Sequence, residues 1–145
     1  MNAVSLLEEA GFGVLEAASA DDAIALLIRF HGQLTENDFV GLDKLASDTR
    51  GKAAFDCIFD MTGVEKVELS SDFVVKRGDL PQAYKGHERI YVVPQDDLKL
   101  LVRFYAASQG AKGWKAPFVV ATLDDALRML SVDISEFEPF PPTAA

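Results

Sequence analysis

Three pairs of adjacent carboxylates are the clearest groups in this sequence whose chemistry could serve catalysis. Two carboxylates held close together can serve as the general acid and the general base of a reaction. Each pair, however, precedes or opens a predicted strand or helix, where a carboxylate caps the element or complements the positive end of the helix dipole. We therefore interpret the pairs as capping and first-turn residues; they are Asp21–Asp22, Asp96–Asp97 and Asp124–Asp125.

The single cysteine and the two histidines do not form a recognisable catalytic or metal-binding motif. Cys57 lies in an apolar run, which predicts a buried and unreactive thiol, and a lone cysteine has no intramolecular disulfide partner. His31 and His87 lie too far apart for a zinc motif and are expected at strand boundaries. The Gly-Phe-Gly segment at 11–13 lacks the remaining glycine and the preceding strand of a phosphate-binding loop. We therefore predict a protein without enzyme activity, cofactor or metal.

The composition excludes several other classes of protein. The chain has 145 residues, of which 49% are hydrophobic, so it is long enough for one domain with a core and too apolar to be disordered. Its net charge of -9 argues against a nucleic-acid binder, although Trp114 lies in a short basic loop between Lys112 and Lys115. The N-terminal segment lacks the pattern of a signal peptide, and no apolar run is long enough to span a membrane. We expect a cytoplasmic protein.

Hydrophobic periodicity predicts that strands and helices alternate along the chain. A leading helix is expected at 2–10, followed by strands at 13–18 and 24–31 that a turn at 20–22 connects. The further elements are helices that begin near residues 35, 70, 96 and 122 and strands at 55–61, 89–94 and 117–121. This order predicts an α/β fold in which helices cover a mixed sheet.

The predicted organisation has one domain with an extension at each end. The domain covers 13–132, a helical extension precedes it at 1–12, and 133–145 form an acidic, proline-rich tail without hydrophobic periodicity. The first two strands form an antiparallel hairpin at 13–31. Its outer edge is expected to be exposed and offers a surface for a homodimer.

One segment resembles a known family of regulatory domains. Residues 55–71 have the sequence FDCIFDMTGVEKVELSS, a hydrophobic strand followed by Asp-Met-Thr-Gly-Val, an acidic residue and a serine pair. This pattern resembles the central strand and following turn of STAS domains, the anti-sigma-factor-antagonist or SpoIIAA-like family. The order of elements over 14–131 is similar to the STAS/Sec14-like branch of that fold, mostly small single-domain proteins without assigned activity. The resemblance implies a mixed sheet with helices packed mainly on one face.

The resemblance also implies a function and a site. We predict a non-catalytic binding or regulatory module that acts through protein–protein contacts at the turn and helix start of Thr62–Phe73. The expected partner-binding residues are Thr62, Gly63, Glu65, Glu68, Ser70, Ser71 and Asp72. Because acidic residues surround this segment, we expect a partner with a basic surface, such as a kinase or an anti-sigma-like protein.

Ser70 is the candidate phosphorylation site, because it alone aligns with a serine of the family's Asp-Ser-Ser-Gly turn. Leu69 and Ser71 stand where the family has serine and glycine. A phosphate at a helix start is favoured by less than about 1 kcal/mol, whereas repulsion from each nearby carboxylate costs about 1–3 kcal/mol. Unless a lysine or an arginine compensates, the two serines only cap the helix.

Two alternative functions stay open. The first is a Sec14-like carrier of a small apolar ligand or lipid, with a pocket lined by aromatic residues that equally suit a plain hydrophobic core. Those residues are Phe73, Phe104, Tyr105, Trp114 and Phe118. The second is a degenerate response-regulator receiver domain, which 6–27 and 55–61 resemble, with Asp60 as the phosphoacceptor. The acidic pair and the lysine that stabilise an aspartyl phosphate in receivers have no counterpart here.

Overall fold

A computed structural model describes residues 12–18, 24–49, 55–81 and 87–139, and within them the elements follow the predicted order. The strands are β1 (Phe12–Ala18), β2 (Ile24–Thr35), β3 (Phe55–Glu68), β4 (Arg89–Val92), β5 (Phe118–Val120) and β6 (Phe137–Pro139), and the helices are α1 (Glu36–Thr49), α2 (Ser71–Gly78), α3 (Asp96–Ala111) and α4 (Leu123–Leu130). None of the helices in these ranges is both long enough and apolar enough to cross a membrane. The helix predicted at 2–10 and the turn predicted at 20–22 lie outside the described residues.

The six strands form one mixed sheet in the order β5-β4-β3-β2-β1-β6. Neighbouring strands from β2 to β5 run parallel, and a helix lies in each connection between them, as parallel crossovers require. β1 runs antiparallel to β2, with Val14 opposite Ile28, and so forms the predicted hairpin. The predicted α/β class with a mixed sheet is confirmed.

The central strands are buried on both faces, because helices cover the sheet from two sides. Helices α1 and α3 pack over one face, where Leu26 and Phe59 are buried, and α2 lies on the same side. Helix α4 covers the opposite face over Leu27 and Ile58. The helices therefore lie mainly on one face, as predicted, and the strands have the continuous apolar sequences of a covered parallel sheet.

β3 is longer than predicted and contains no turn after residue 61. The sequence pattern predicted a strand at 55–61 and a turn after it, but the strand continues to Glu68 beside residues 31–35 of β2. The pairing register shifts twice along this stretch, so that β3 has extra residues opposite β2. Each shift reverses the alternation of inward and outward side chains. A search of the sequence for a hydrophobic period of two therefore does not detect the second half of the strand.

Asp60 and Gly63 hold the first of these register shifts. Asp60 Oδ1 accepts hydrogen bonds from the backbone N–H of Thr62 at 3.0 Å and from its hydroxyl at 2.6 Å. The two strands approach so closely that a Cβ atom at Gly63 would lie 2.9 Å from the carbonyl oxygen of Phe30. Position 63 therefore needs glycine for packing, and Asp60 has a structural role in the bulge.

The C-terminal part differs from the predicted irregular tail. A short 3-10 helix (Ile134–Glu136) follows Asp133, whose carboxylate accepts hydrogen bonds from the N–H and hydroxyl of Ser135 at 2.9 and 2.7 Å. β6 then pairs antiparallel with residues 15–17 of β1, so the hairpin edge is covered there rather than exposed as predicted. A three-residue strand that contains proline has too little periodicity to be recognised from a sequence.

Two of the three carboxylate pairs lie at helix starts, as predicted. Asp96–Asp97 are in the first turn of α3, and Asp124–Asp125 are in the first turn of α4. The hydroxyl of Thr122 caps α4 by accepting a hydrogen bond from the N–H of Asp125 at 3.2 Å. The Asp97 carboxylate accepts a hydrogen bond from the N–H of Leu98 at 2.9 Å, and acidic residues in a first turn complement the helix dipole. The third pair, Asp21–Asp22, lies outside the described residues.

A buried glutamine joins α2, α3 and β4. Gln109 Nε2 donates to the carbonyl oxygens of Gly78 and Leu80, both at 2.8 Å, and its Oε1 accepts a hydrogen bond from Arg89 at 3.2 Å. Gly78 ends α2, so the amide satisfies a carbonyl that has no partner inside the helix. This contact sets the position of α2 relative to α3.

Candidate functional site

An apolar cavity lies between the sheet and the helices α1, α2 and α3. The empty space inside the cavity, including its open mouth, has a volume of about 450 Å³. The smaller volume that the centre of a water molecule can occupy is about 50 Å³. A single water needs roughly 10–15 Å³ by the second measure, so the cavity has room for a short chain of atoms. The described lining residues are Leu34, Phe39, Met61, Leu69, Phe73, Val74, Arg77, Tyr91, Leu98, Leu101, Val102 and Tyr105.

Three contacts between aromatic rings brace the walls of the cavity. Phe39 of α1 and Phe73 of α2 contact each other with ring centroids 5.5 Å apart. Tyr91 of β4 meets the edge of Tyr105 of α3 at 6.1 Å, and it stacks on Phe59 of β3 at 4.6 Å. These contacts link α1 to α2 and the sheet to α3, so the walls are held by ring packing.

Two of the five aromatic residues predicted to line a pocket do so, namely Phe73 and Tyr105. Phe104 and Phe118 are exposed, and Trp114 is not among the described lining residues. Phe104 precedes Tyr105 on α3, and one step along a helix turns the side chain by about 100°. A sequence that places two rings side by side does not show which of them faces the sheet.

Arg77 is the only charged residue among the described residues that line the cavity. Its guanidinium donates to both carboxylate oxygens of Asp43 at 3.0 Å, which ties α2 to α1, and it lies 4.9 Å from the centre of the Phe39 ring. Burial disfavours the charged form, but the hydrogen bonds and charge of Asp43 outweigh it and raise the pKa of Arg77. A permanently charged side chain therefore contributes to a lining that is mostly apolar.

Tyr91 supplies a second polar group to the cavity lining. Its side chain is buried, and burial, reinforced by Tyr105 and opposed by Arg89 and Arg77, raises the pKa of Tyr91, so its hydroxyl stays protonated. The Tyr105 hydroxyl accepts a hydrogen bond from Arg89 at 2.8 Å.

The residues predicted to bind a partner form one run at the surface, which we name the polar strip. It consists of Thr62, Gly63, Glu65, Glu68, Ser70, Ser71 and Asp72, and all seven are exposed. The first four belong to the end of β3, and the last two begin α2. Lys66 lies within this run and is paired with Glu68 at 3.2 Å, so the strip keeps a net negative charge.

Asp60, the alternative phosphoacceptor, lies inside β3 rather than at a strand end. It is buried, and its Oδ2 lies 3.6 Å from Nε of Arg29. Receiver domains have a parallel sheet in the order 2-1-3-4-5, whereas here β1 is antiparallel and β1 to β5 follow in sequence. The receiver alternative is therefore wrong in its topology. The described residues also contain no cluster of three or more side chains that could hold a metal ion.

The thiol and the imidazoles lie apart from the cavity lining. Cys57 is buried, and burial, with the charge of Asp56 adding to it, raises the pKa of the thiol to about 12. It is therefore protonated near neutral pH, in agreement with the predicted unreactive thiol. His87 Nδ1 lies 3.1 Å from Asp56 Oδ1, and His31 is exposed on β2.

The comparisons with known proteins concern the fold. No protein-family model and no curated protein matches the chain. A crystal structure does match: an uncharacterised protein of the DUF3478 family from Shewanella loihica, which is described as having a SpoIIAA-like fold. The two chains are 19% identical and superpose with a TM-score of 0.54 over 83% of this chain and 94% of the other. The chain has a SpoIIAA-like fold. The resemblance seen in 55–71 is thereby confirmed at the level of the fold.

In this SpoIIAA-like fold, Ser70 has a structural role that a single substitution tests. Its Oγ accepts a hydrogen bond from the N–H of Phe73 at 3.1 Å and so caps α2, as predicted. We expect Ser70→Ala to lower the free energy of unfolding by about 1 kcal/mol, because an N–H of the first turn loses its acceptor. Urea denaturation measures the change. Ser71→Ala is the matched control, since Ser71 already lies inside α2, and equal losses in both variants would contradict the assignment of Ser70 as the cap.

Proposed function

We propose that this SpoIIAA-like protein is a non-catalytic binding module that holds a small apolar ligand in the cavity beneath α1, α2 and α3. The observation that carries the proposal is the cavity itself, which has an open mouth and a lining that is apolar except for a few polar atoms. Pockets of this composition, with few and well-placed polar groups, are the usual form of small-molecule sites. The sequence resemblance to the Sec14-like branch supports the same function.

A ligand in this cavity would restore contacts that the empty protein lacks. Atoms that line a void have no van der Waals partner on one side, and an apolar void is not filled well by water. Leu98 and Val102 of α3 and Met61 of β3 are buried and line the space. An aliphatic chain gains contact with each of them without breaking any described hydrogen bond.

Native mass spectrometry of the freshly purified full chain is the first test. We expect either a co-purifying apolar molecule or, after addition of octanol, a complex with one octanol per chain. Methyl NMR spectra should then show shifts at Met61 and Leu98, which line the cavity, rather than at exposed Met129. A bare mass together with unchanged Met61 and Leu98 methyl signals would rule out the carrier function.

Filling the cavity should weaken this binding. Val74 of α2 is buried and lines the cavity, so Val74→Phe places extra atoms where the ligand would lie, and we expect octanol affinity to fall about tenfold or more. Val75→Phe is the matched control, because Val75 is the next residue of the same helix and is exposed. NMR titration gives both affinities. Equal affinities in the two variants would place the ligand outside the cavity.

A second candidate function is contact with a protein partner through the polar strip. The observation that favours it is the exposure of all seven residues in a run with an excess of carboxylates. Exposed charges of one sign steer the approach of a partner of opposite sign and contribute to specificity. The expected partner therefore presents lysine and arginine side chains.

A charge reversal tests the second function. Glu68→Lys should reduce the affinity of a partner recovered by pull-down about tenfold, because it places a cation against the partner's basic surface. Glu136→Lys makes the same change of charge on an exposed residue of the short 3-10 helix and should leave the affinity unchanged. If both variants weaken binding equally, net charge rather than the polar strip attracts the partner.

A further inference from the structure

The second half of β3 has a neighbouring strand on one side only. β2 pairs with β3 as far as Glu68, whereas β4 pairs with residues 57–60 alone and ends with Val92 opposite Asp60. On the side away from β2, the described residues place no strand beside the later part of β3. A strand without a neighbour leaves backbone N–H and C=O groups unpaired on that side, and such groups can pair with another chain.

A glutamine side chain covers the first part of this side. Gln95, which directly precedes α3, donates from Nε2 to the carbonyl oxygens of Met61 at 2.8 Å and Val64 at 2.9 Å. These hydrogen bonds resemble those that the N–H groups of a neighbouring strand would make. Residues 65–68 receive no such hydrogen bond from the described side chains. We name the side of 65–68 that faces away from β2 the open edge.

The open edge is already in an extended conformation. After the second register shift, Lys66, Val67 and Glu68 pair regularly with β2. The side chain of Val67 packs against the core that α1 and α3 cover, while Glu65, Lys66 and Glu68 are exposed. Because the backbone is held in place before a partner arrives, the addition of a strand requires little further ordering of this chain.

Carboxylates surround the open edge. Glu65 and Glu68 lie on it, Asp96 and Asp97 begin the adjacent helix α3, and all four are exposed. The charge of Lys66 is offset by its ion pair with Glu68 at 3.2 Å. Two copies of this chain that paired here would bring their carboxylates together, so repulsion disfavours a second copy as the occupant. A segment that contains lysine or arginine is complementary in charge.

We infer that the open edge binds an extended, basic peptide segment of a partner protein, which adds to the sheet as a strand beside residues 65–68 of β3. This inference rests on the proposed contact with a protein partner through the polar strip, and it names the form and the chemistry of the bound segment. Backbone hydrogen bonds hold a strand that is added in this way, and its alternate side chains provide specificity. Side chains of neighbouring strands align on each face of a sheet, so the segment should place apolar residues beside Val67 and basic residues beside Glu68.

An octapeptide of alternating lysine and valine, capped at both ends, is the probe. It is titrated into the full-length protein, and binding is followed by backbone NMR and amide hydrogen exchange. We expect the N–H signals of 65–68 to shift and at least one of them to exchange about tenfold or more slowly, because pairing protects an N–H from water. The same peptide methylated at every backbone nitrogen keeps its charges and side chains but loses its donors. It should therefore bind about tenfold or more weakly.

A charge reversal connects the bound peptide to the open edge. Glu65→Lys should weaken binding of the lysine–valine peptide about tenfold, because it places a cation beside the basic segment. Glu136→Lys makes the same change of charge next to β6, at the other edge of the sheet, and should leave the affinity unchanged. An octapeptide of alternating glutamate and valine should bind about tenfold or more weakly than the basic one.

The outcomes separate this inference from the function on which it rests. Equal binding of the methylated peptide, or unchanged hydrogen exchange at 65–68, would overturn the addition of a strand. Equal binding of the glutamate peptide, or equal losses in the two charge variants, would overturn the basic character of the segment. Protection of 65–68 that rises with protein concentration in the absence of peptide would assign the open edge to a second copy of the chain and also overturn the inference.

The pull-down with Glu68→Lys tests the underlying contact function independently. If neither octapeptide binds while Glu68→Lys still lowers the affinity of the recovered partner, the addition of a strand is wrong and the contact through the polar strip stands. If the octapeptides do not bind and Glu68→Lys has no effect on the partner, both proposals are wrong.

Discussion

Replacing Gln109 by leucine is expected to lower the free energy of unfolding by about 3–5 kcal/mol, which is a large fraction of the stability of a domain. Leucine has a similar volume, but it cannot donate to the carbonyl oxygens of Gly78 and Leu80 or accept from Arg89. The buried Gly78 carbonyl left without a donor costs about 1–3 kcal/mol. The partly buried Leu80 carbonyl loses its donor as well, and Arg89 loses one of its acceptors. Urea denaturation followed by circular dichroism measures the loss.

The matched control is the same substitution at an exposed amide. Gln33 lies on β2 with its side chain exposed, so Gln33→Leu should change the free energy of unfolding by no more than about 0.5 kcal/mol. A loss below about 1 kcal/mol for Gln109→Leu would contradict the view that this amide fixes α2 against α3.

Adding one methyl group at Gly78 is expected to destabilise the protein by about 1–3 kcal/mol. A Cβ atom at this position would lie 2.5 Å from Oγ and 2.9 Å from Cβ of Ser108 on α3. The Ser108 hydroxyl can rotate away, but its Cβ is fixed to the backbone of α3. Helix α2 must therefore move outward in Gly78→Ala, which weakens the hydrogen bonds of Gln109. The shift of the urea midpoint at an unchanged slope reports this loss.

A glycine of α3, Gly110, provides a control of opposite sign. A Cβ atom at Gly110 would meet the Cβ of Ala116 at 3.8 Å, which is an ordinary contact. Gly110→Ala should therefore stabilise the protein by about 0.5–1 kcal/mol through the higher helix propensity of alanine. Combining Gly78→Ala with Ser108→Gly should recover part of the lost stability. Destabilisation by both single substitutions, or no recovery in the double variant, would contradict the close approach of α2 and α3.

The parts of the fold that were predictable are those with local signals. Strands β3, β4 and β5 begin in apolar runs, and Ser70 and Thr122 precede helices as side-chain caps. These signals depend only on neighbouring residues, so they can be recognised in the sequence without knowledge of the tertiary structure. The order of strands and helices then limits the topology to a covered mixed sheet.

The parts that were not predictable depend on contacts between distant residues. The extension of β3 beyond Met61 is stable because β2 pairs with it, while the two register shifts erase the alternation that would reveal a strand. β6 contains three residues and exists through its pairing with β1. In both places the local sequence is compatible with a turn or a tail.

The cavity shows the same limit more strongly. An arginine on a short helix is expected in solvent, and Arg77 is drawn inward by Asp43, which lies 34 residues earlier on α1. From the sequence, Tyr91 is one more residue of a buried apolar strand, and only the fold shows that it lines the cavity. Of the lining residues, only Phe73 and Tyr105 were predicted from the sequence. Their aromatic side chains suggested a pocket, but only the fold shows which aromatic residues face it.

The pairing of β6 with β1 sets an order of events during synthesis of the chain. Among the described elements, β1 is made first and β6 last, so the outermost ladder of the sheet closes only after all the others have emerged from the ribosome. Strands β2 to β5 are neighbours in sequence as well as in space and can assemble as they appear. Closing the long loop between β1 and β6 is entropically less favourable and is expected to be a late step of folding. Until then, residues 15–17 of the nascent chain present an unpaired strand edge. We expect chaperones to bind to this edge before β6 is synthesised.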